Sequence, residues 1–310
     1  MKNRFSIVIP VFNKEKYIKE TILSVLNQTY DNYEIIIIND ASTDNSLKII
    51  EEVISNKAVI INNKNNLGLS ASRNIGFEAS SDKFVAFLDG DDVWDKNFLK
   101  EINELIINFP KESIFGTYYK ENYNGKILYP KINIKEKLLG TKFVVKNFFE
   151  ANLRRLIITQ SCLVFKKNIF DTVGLYNPKI TFAEDIDFYI RCFQNFNLAY
   201  SYQIYHMQRK MVHKSISNSK TDNLNYPLLD KYLGVSDELN RFINFYNYCF
   251  CRRKKNEGSK KSMIYYRNKI RFRWIGFLKT IVLFLPEFLY TTLLKFKRYL
   301  LKKGINISTY

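Results

Sequence analysis

Cysteine is scarce in this chain. Cys162, Cys192, Cys249 and Cys251 make no CxxC pair and no zinc spacing, which argues against a disulfide scaffold and fits a reducing compartment. No GxxxxGK[ST] is present, and Gly68 to Gly76 does not supply a GxGxxG after the first strand, so a P-loop NTPase and a dinucleotide-binding dehydrogenase are both disfavoured. Long apolar runs are lacking too. In the C-terminal region the longest uninterrupted one, Ile281 to Leu285, falls far short of the ~20 residues of a spanning helix. The opening MKNRFSIVIPVF carries too short an apolar run for a signal peptide, so the body is expected in the cytoplasm. Internal repeats and low-complexity tracts are absent.

What is present reads as globular. The 310 residues are 46% apolar and 15% aromatic, enough for one large domain or two small ones. The net charge of +18 is uneven: from Arg241 onward, 17 Lys and Arg face only Glu257 and Glu287, leaving +3 for the first 240 residues. The basicity therefore belongs to a tail.

Periodicity gives strands at Ser6 to Val11, Tyr33 to Ile38, Ala58 to Ile61 and Phe84 to Leu88. Helices are expected over Asn13 to Gln28, after Ser42-Thr43-Asp44, through Ala79 and from about Lys96 to Asn108. This rhythm means right-handed βαβ units and a mostly parallel, Rossmann-like α/β sheet, which takes ligands beyond the carboxyl ends of its strands. Further on, Ile114 to Tyr119, Lys126 to Tyr129, Ser161 to Phe165 and Tyr200 to His206 read as strands. Phe143 to Asn152 reads as a helix, and another opens at Phe182 to Asp187. The expected division is 1–110, 111–220 and a helical 221–310.

The stretch KFVAFLDGDDVWD, Lys83 to Asp95, is central. A buried strand ends abruptly in Asp89, Asp91 and Asp92, spaced by Gly90. Asp89 and Asp91 face the same way on an extended chain. Gly90 lets the backbone approach a ligand closely. Clustered carboxylates repel one another unless a cation sits among them, and oxygen ligands suit Mg²⁺ or Mn²⁺. The plainer alternative is an acidic turn capping the next helix.

Several ordered motifs surround that turn: Ile9-Pro10-Val11-Phe12-Asn13, Asn39-Asp40-Ala41-Ser42-Thr43-Asp44, Asn66-Leu67-Gly68, and Ala71-Ser72-Arg73-Asn74. Glu184-Asp185 and His213-Lys214-Ser215-Ile216-Ser217 complete the set. From Phe5 to Ser217 the chain resembles a family 2 glycosyltransferase of the GT-A fold, of the bacterial cell-surface polysaccharide type. Phe12 stands where Tyr is common and Ala41 where Gly is common; neither departure removes a ligand.

The resemblance implies an inverting, metal-dependent transfer from a nucleoside-diphosphate sugar, UDP-linked by family habit, to a glycan or lipid-linked saccharide. It places Pro10, Phe12, Asn13, Glu15, Asp40, Asn66, Gly68, Arg73, Asp89 and Gly90 at the nucleotide sugar. Asp91 is implied to bind Mn²⁺ or Mg²⁺, and His213 to reach the diphosphate or metal when its loop closes. Asp185 is implied as the general base, with Glu184 and Trp94 as acceptor contacts or support.

The tail has its own logic. Arg252 to Lys255 is a basic run, and Lys260 to Arg273 interleaves cations with Ile, Tyr and Phe. Trp274 to Phe296 is apolar but broken by Lys279, Pro286 and Glu287. Residues 250–303 thus read as helices lying on an anionic membrane, peripheral on the cytoplasmic face of the inner membrane. A helical pair packed on the body is the alternative. A nucleic-acid-binding protein using this tail leaves the acidic turn unexplained, and the acids in place oppose an inactive scaffold.

Overall fold

A computed structural model describes residues 2–55, 57–210, 212 and 224–303. Ten strands form one sheet: β1 (Phe5–Val11), β2 (Tyr33–Asn39), β3 (Val59–Asn62), β4 (Phe84–Phe87), β5 (Val93–Trp94), β6 (Ile114–Tyr123), β7 (Lys126–Leu128), β8 (Lys142–Val145), β9 (Leu163–Lys166) and β10 (Leu198–Lys210). The helices are α1 (Ile18–Leu26), α2 (Ser46–Ile54), α3 (Leu69–Ala79), α4 (Phe98–Asn108), α5 (Phe148–Ala151), α6 (Ile169–Val173), α7 (Glu184–Phe193), α8 (Asp237–Glu257), α9 (Lys260–Asn268), α10 (Phe277–Phe284) and α11 (Glu287–Lys302).

The sheet runs β3-β2-β1-β4-β9-β6-β10-β5, with β7 on β6 and β8 on β10. Strands β3, β2, β1 and β4 are parallel. Side chains alternate between its two faces. Ile7, Ile9, Val11, Ile35 and Ile37 pack with Ile18, Ile22 and Val25 of α1 and Ile50 of α2. Val8, Ile36, Ile38, Val85 and Phe87 join the opposite core with α5, α7 and α8.

Because β1, β2 and β4 run parallel, their carboxyl ends lie along one edge of the sheet. That edge brings Asn39-Asp40 beside Phe12-Asn13 and the Asp89–Asp92 turn. Pro10 fits a central strand because β4 has left the ladder there: β1 pairs with β4 only as far as Val8 opposite Phe87.

The α/β sheet flanked by helices is as expected, and within it β9 runs antiparallel between β4 and β6. Three readings need correction. Phe143 to Asn152 is not one helix: Phe143, Val144 and Val145 pair antiparallel with β10, and α5 begins only after Asn147, whose side chain caps it. Aromatic and β-branched residues take the strand once a partner edge exists. Helix α1 starts at Ile18, later than expected, since Asn13 adopts φ 52° and holds the preceding turn. Strand β10 is nearly twice the expected length, and β5, which pairs with it, carries too little sequence to be read alone. The expected loop from His213 to Ser217 lies outside the described residues.

The tail divides. Helix α8 is part of the body: Leu239, Phe242, Ile243 and Phe250 are buried in the core shared with α5 and α7. Its basic end is partly drawn in: Lys254 is buried and Arg253 half-buried, both paired to Glu257. Helices α10 and α11 instead expose Phe277 (79%), Leu278 (77%), Phe284, Phe288 and Phe296. No helix among the described residues is long and apolar enough to cross a membrane.

Candidate active site

The Asp89–Asp92 segment is a tight turn, closed by the Asp92 N–H donating to the Asp89 carbonyl at 2.9 Å. A Cβ on Gly90 would lie 3.1 Å from the Pro10 carbonyl and 3.5 Å from Lys14 Cγ, so glycine lets this turn press against the end of β1. Each of the three acids has its own surroundings.

Asp92 is buried and structural. Its Oδ2 accepts from Ser161 Oγ at 2.7 Å and lies 3.0 Å from His206 Nε2, and its Oδ1 accepts from the Arg209 N–H at 3.1 Å. Burial alone would raise this carboxyl, but His206 and the donors around it pull it below the usual range. Asp92 therefore ties the turn to β10.

Asp89 Oδ1 accepts from Arg73 Nη2 at 2.8 Å, and Glu184 Oε1 accepts from Arg73 Nη1 at 2.8 Å. Arg73 is 1% exposed and remains charged; burial opposes the charge, and Asp89 and Glu184 more than restore it. One buried guanidinium thus spans the acidic turn and the start of α7. Its neighbours on α3 reach the same way: Ser70 Oγ donates to the Ile180 carbonyl at 3.2 Å, and Asn74 Nδ2 to the Tyr176 carbonyl at 2.8 Å.

Asp185 stands in the first turn of α7, after Ala183 at φ 58°. Its carboxyl is pushed up to about 7, first by burial and then by the adjacent Glu184, with Arg73 opposing. A helix start would ordinarily favour the anion; here desolvation wins.

Asp91 Oδ2 accepts from Lys14 Nζ at 2.5 Å. Burial raises this carboxyl, Lys14 opposes that, and Asp92 and Asp89 add to it. A hard cation suits this donor set: carboxylate oxygens, a surplus of negative charge, and an ammonium already standing where a cation would. Among the described residues no three His, Cys, Asp or Glu converge to hold a metal alone. An ion here would need phosphate oxygens and water to complete its shell, the habit of Mg²⁺ and its kin.

The remaining expected residues line the same edge. Phe12 is 43% exposed. Asn13 Oδ1 accepts from the Thr43 N–H at 2.8 Å, and Glu15 Oε2 from Asn45 Nδ2 at 3.1 Å. Asp40 is buried, with both oxygens engaged: Oδ1 accepts from Asn63 Nδ2 and the Leu67 N–H, Oδ2 from the Gly68 N–H. Asn66 Nδ2 donates to the Asp40 carbonyl at 3.3 Å. Asp40 thus organises the Asn63–Gly68 loop. Trp94 is buried, stacked on Phe98, with Nε1 donating to the Ser161 carbonyl at 2.6 Å, which makes it framework. His213 lies outside the described residues.

With that geometry in place, a sequence profile described as glycosyl transferase family 2 matches residues 6–174. The chain belongs to that family. It is a glycosyltransferase. The enzyme is 30% identical over 243 residues to an uncharacterized glycosyltransferase of Haemophilus influenzae, covering 72% of this chain and 74% of that protein. It is 30% identical over 153 residues to glycosyltransferase GlyA of Streptococcus pneumoniae, but spans only 22% of that protein's length. The fold matches S. aureus TarS 1–349 in complex with UDP-GlcNAc at a TM-score of 0.58 and 21% identity, covering 86% of this chain and 72% of that one.

Two groups in this glycosyltransferase escaped the sequence reading. Lys14 follows the Ile9–Asn13 motif directly, and adjacency was its only signal. The Ser161 and His206 partners of Asp92 lie 69 and 114 residues away, with no local pattern to connect them.

Proposed function

We propose that this enzyme transfers a sugar from a UDP-linked donor, with inversion, to a hydroxyl of a glycan or lipid-linked saccharide in cell-surface polysaccharide synthesis. One observation carries the reading: Arg73 holds Asp89 and Glu184 at 2.8 Å each, so the acid-bearing turn lies beside the start of the helix that presents Asp185. The TarS complex with UDP-GlcNAc, a protein of the same fold, supports the choice of donor.

In this reading the base and ribose lie along Pro10, Phe12, Asn13 and the loop held by Asp40, and the ribose and diphosphate approach Asp89 and Gly90. Asp91 would hold Mn²⁺ or Mg²⁺, whose charge stabilises the departing diphosphate. Asp185 takes the proton of the acceptor hydroxyl as it attacks the anomeric carbon. The hydroxyl oxygen forms the new bond as the bond to the diphosphate breaks. A carboxyl near 7 is matched to that role. A single displacement inverts the anomeric centre. Arg73 positions the acids.

The same proposal places the enzyme at an anionic membrane, met by the apolar row of α10 and α11 and the cations around it. This is the cytoplasmic face, where a lipid-linked acceptor would be presented.

The test is transfer from a panel of UDP-sugars with Mn²⁺, comparing wild type with Asp185→Asn. We expect UDP affinity to survive and turnover to fall by about 10²–10⁴-fold. Turnover within a factor of a few of wild type would remove Asp185 as the base.

A further inference from the structure

We infer that Lys14 is the built-in counter-cation of Asp91 and makes divalent-cation binding depend on the arrival of a diphosphate. The inference rests on the proposed role of Asp91 as the cation ligand.

The three acids of the turn divide their partners. Asp89 is held by Arg73. Asp92 is held by Ser161, His206 and the backbone of Arg209. Among the described residues, the cation bonded to Asp91 is Lys14 alone, at 2.5 Å, and the two side chains are 17% and 15% exposed. Asp91 is thus the one acid of the turn whose charge is answered by a side chain free to leave.

The root of Lys14 is fixed. Its N–H donates to Ser46 Oγ at 2.7 Å, and its carbonyl accepts from the Tyr17 and Ile18 N–H groups at 2.8 and 2.9 Å. Its stem runs past the side of Gly90 that a Cβ would occupy. The ammonium alone has freedom, on a flexible four-carbon stem.

A divalent ion on Asp91 would stand within a few ångströms of that ammonium, and like charges so close and so little solvated repel strongly. The ion binds only if Lys14 turns away, and a partly buried ammonium is best compensated when it turns toward another anion. A nucleoside diphosphate brings that anion. It also brings the oxygens that the ion's shell lacks among the described residues. Lys14 thus penalises the ion alone and does not penalise the ion and diphosphate together.

The experiment measures Mn²⁺ binding to the full chain by electron paramagnetic resonance of free Mn²⁺, with and without UDP. It compares wild type, Lys14→Met and Lys14→Arg. Wild type and Lys14→Arg should bind Mn²⁺ weakly alone and far more tightly with UDP. Lys14→Met should bind Mn²⁺ alone about tenfold more tightly than wild type, and the coupling between Mn²⁺ and UDP should shrink by a similar factor. Thermal melting checks that Lys14→Met remains folded. If wild type shows coupling and Lys14→Met gains no Mn²⁺ affinity, the counter-cation role is overturned while the reading of Asp91 stands. If neither protein binds Mn²⁺ even with UDP, the cation reading of Asp91 falls and takes this inference with it.

Discussion

Asp185 shows how one side chain acquires a function from its surroundings. Its carboxyl rises from 3.8 to about 7, because burial and Glu184 outweigh Arg73. The sign has two consequences. Folding favours the protonated form, so this group's contribution to stability is full below 3.8 and is lost as pH rises through about 7. Catalysis needs the anion, so kcat/KM should climb through about pH 7 and then level off. A profile of kcat/KM over about pH 5 to 9 checks this; a flat profile across 7 would separate Asp185 from proton transfer. Arg73 shows the reverse case. The motif placed it near the donor, and in the fold it is buried between Asp89 and Glu184 and paired to both. Nothing in its own sequence neighbourhood distinguishes those two uses, since an arginine on a polar helix face reads the same in both.

At the scale of elements, α3 joins the two halves of the site. One of its faces presents Ser70, Arg73 and Asn74 to the segment leading into α7. On its packed side Gly76 lies against β1, where an added Cβ would come within 2.1 Å of Val8 Cγ1. Val8 is buried in a central strand and β-branched, so it has few rotamers to retreat to. Gly76→Ala should destabilise the protein by about 1–3 kcal/mol despite alanine's better helix propensity. Urea denaturation measures this, and an unchanged or raised midpoint would show that Val8 yields freely. Ala41, where the family commonly has glycine, adopts φ 56°, a region that costs an L-residue about 1–2 kcal/mol. The departure noticed in the sequence is therefore a strained position in the fold. Strands β1 to β4 were legible because apolar runs bounded by turn residues have few other uses. The segment from Phe143 to Val145 was not, because only the β10 edge decides between strand and helix.

For the whole molecule, the charge asymmetry and the apolar surface coincide in the last quarter of the chain. Helix α8 is spent on the body, which narrows the candidate membrane face to α10 and α11. Phe277 and Leu278 are its most exposed apolar side chains. Burying each in lipid would contribute roughly 1.5–3 kcal/mol. The double variant Phe277→Asp, Leu278→Asp should therefore weaken binding to vesicles rich in anionic lipid by about 10²-fold or more, while transfer to a water-soluble acceptor continues. Flotation of the full-length protein reads the partition; equal binding by both proteins would end the membrane assignment.

Sequence alone determined the parts that depend on neighbours along the chain: the alternation of strands and helices, the acidic turn after β4, the family and the basic tail. Each is written in short runs, in the order of those runs along the chain, or in composition. Tertiary structure decided which charges meet. That Arg73 clasps acids from two segments, that Asp92 is locked to Ser161 and His206, and that Lys14 rests on Asp91 all depend on where distant segments pack. Desolvation and ion pairing act through space, so a side chain's charge and reactivity are settled only once the sheet edge has brought its partners together.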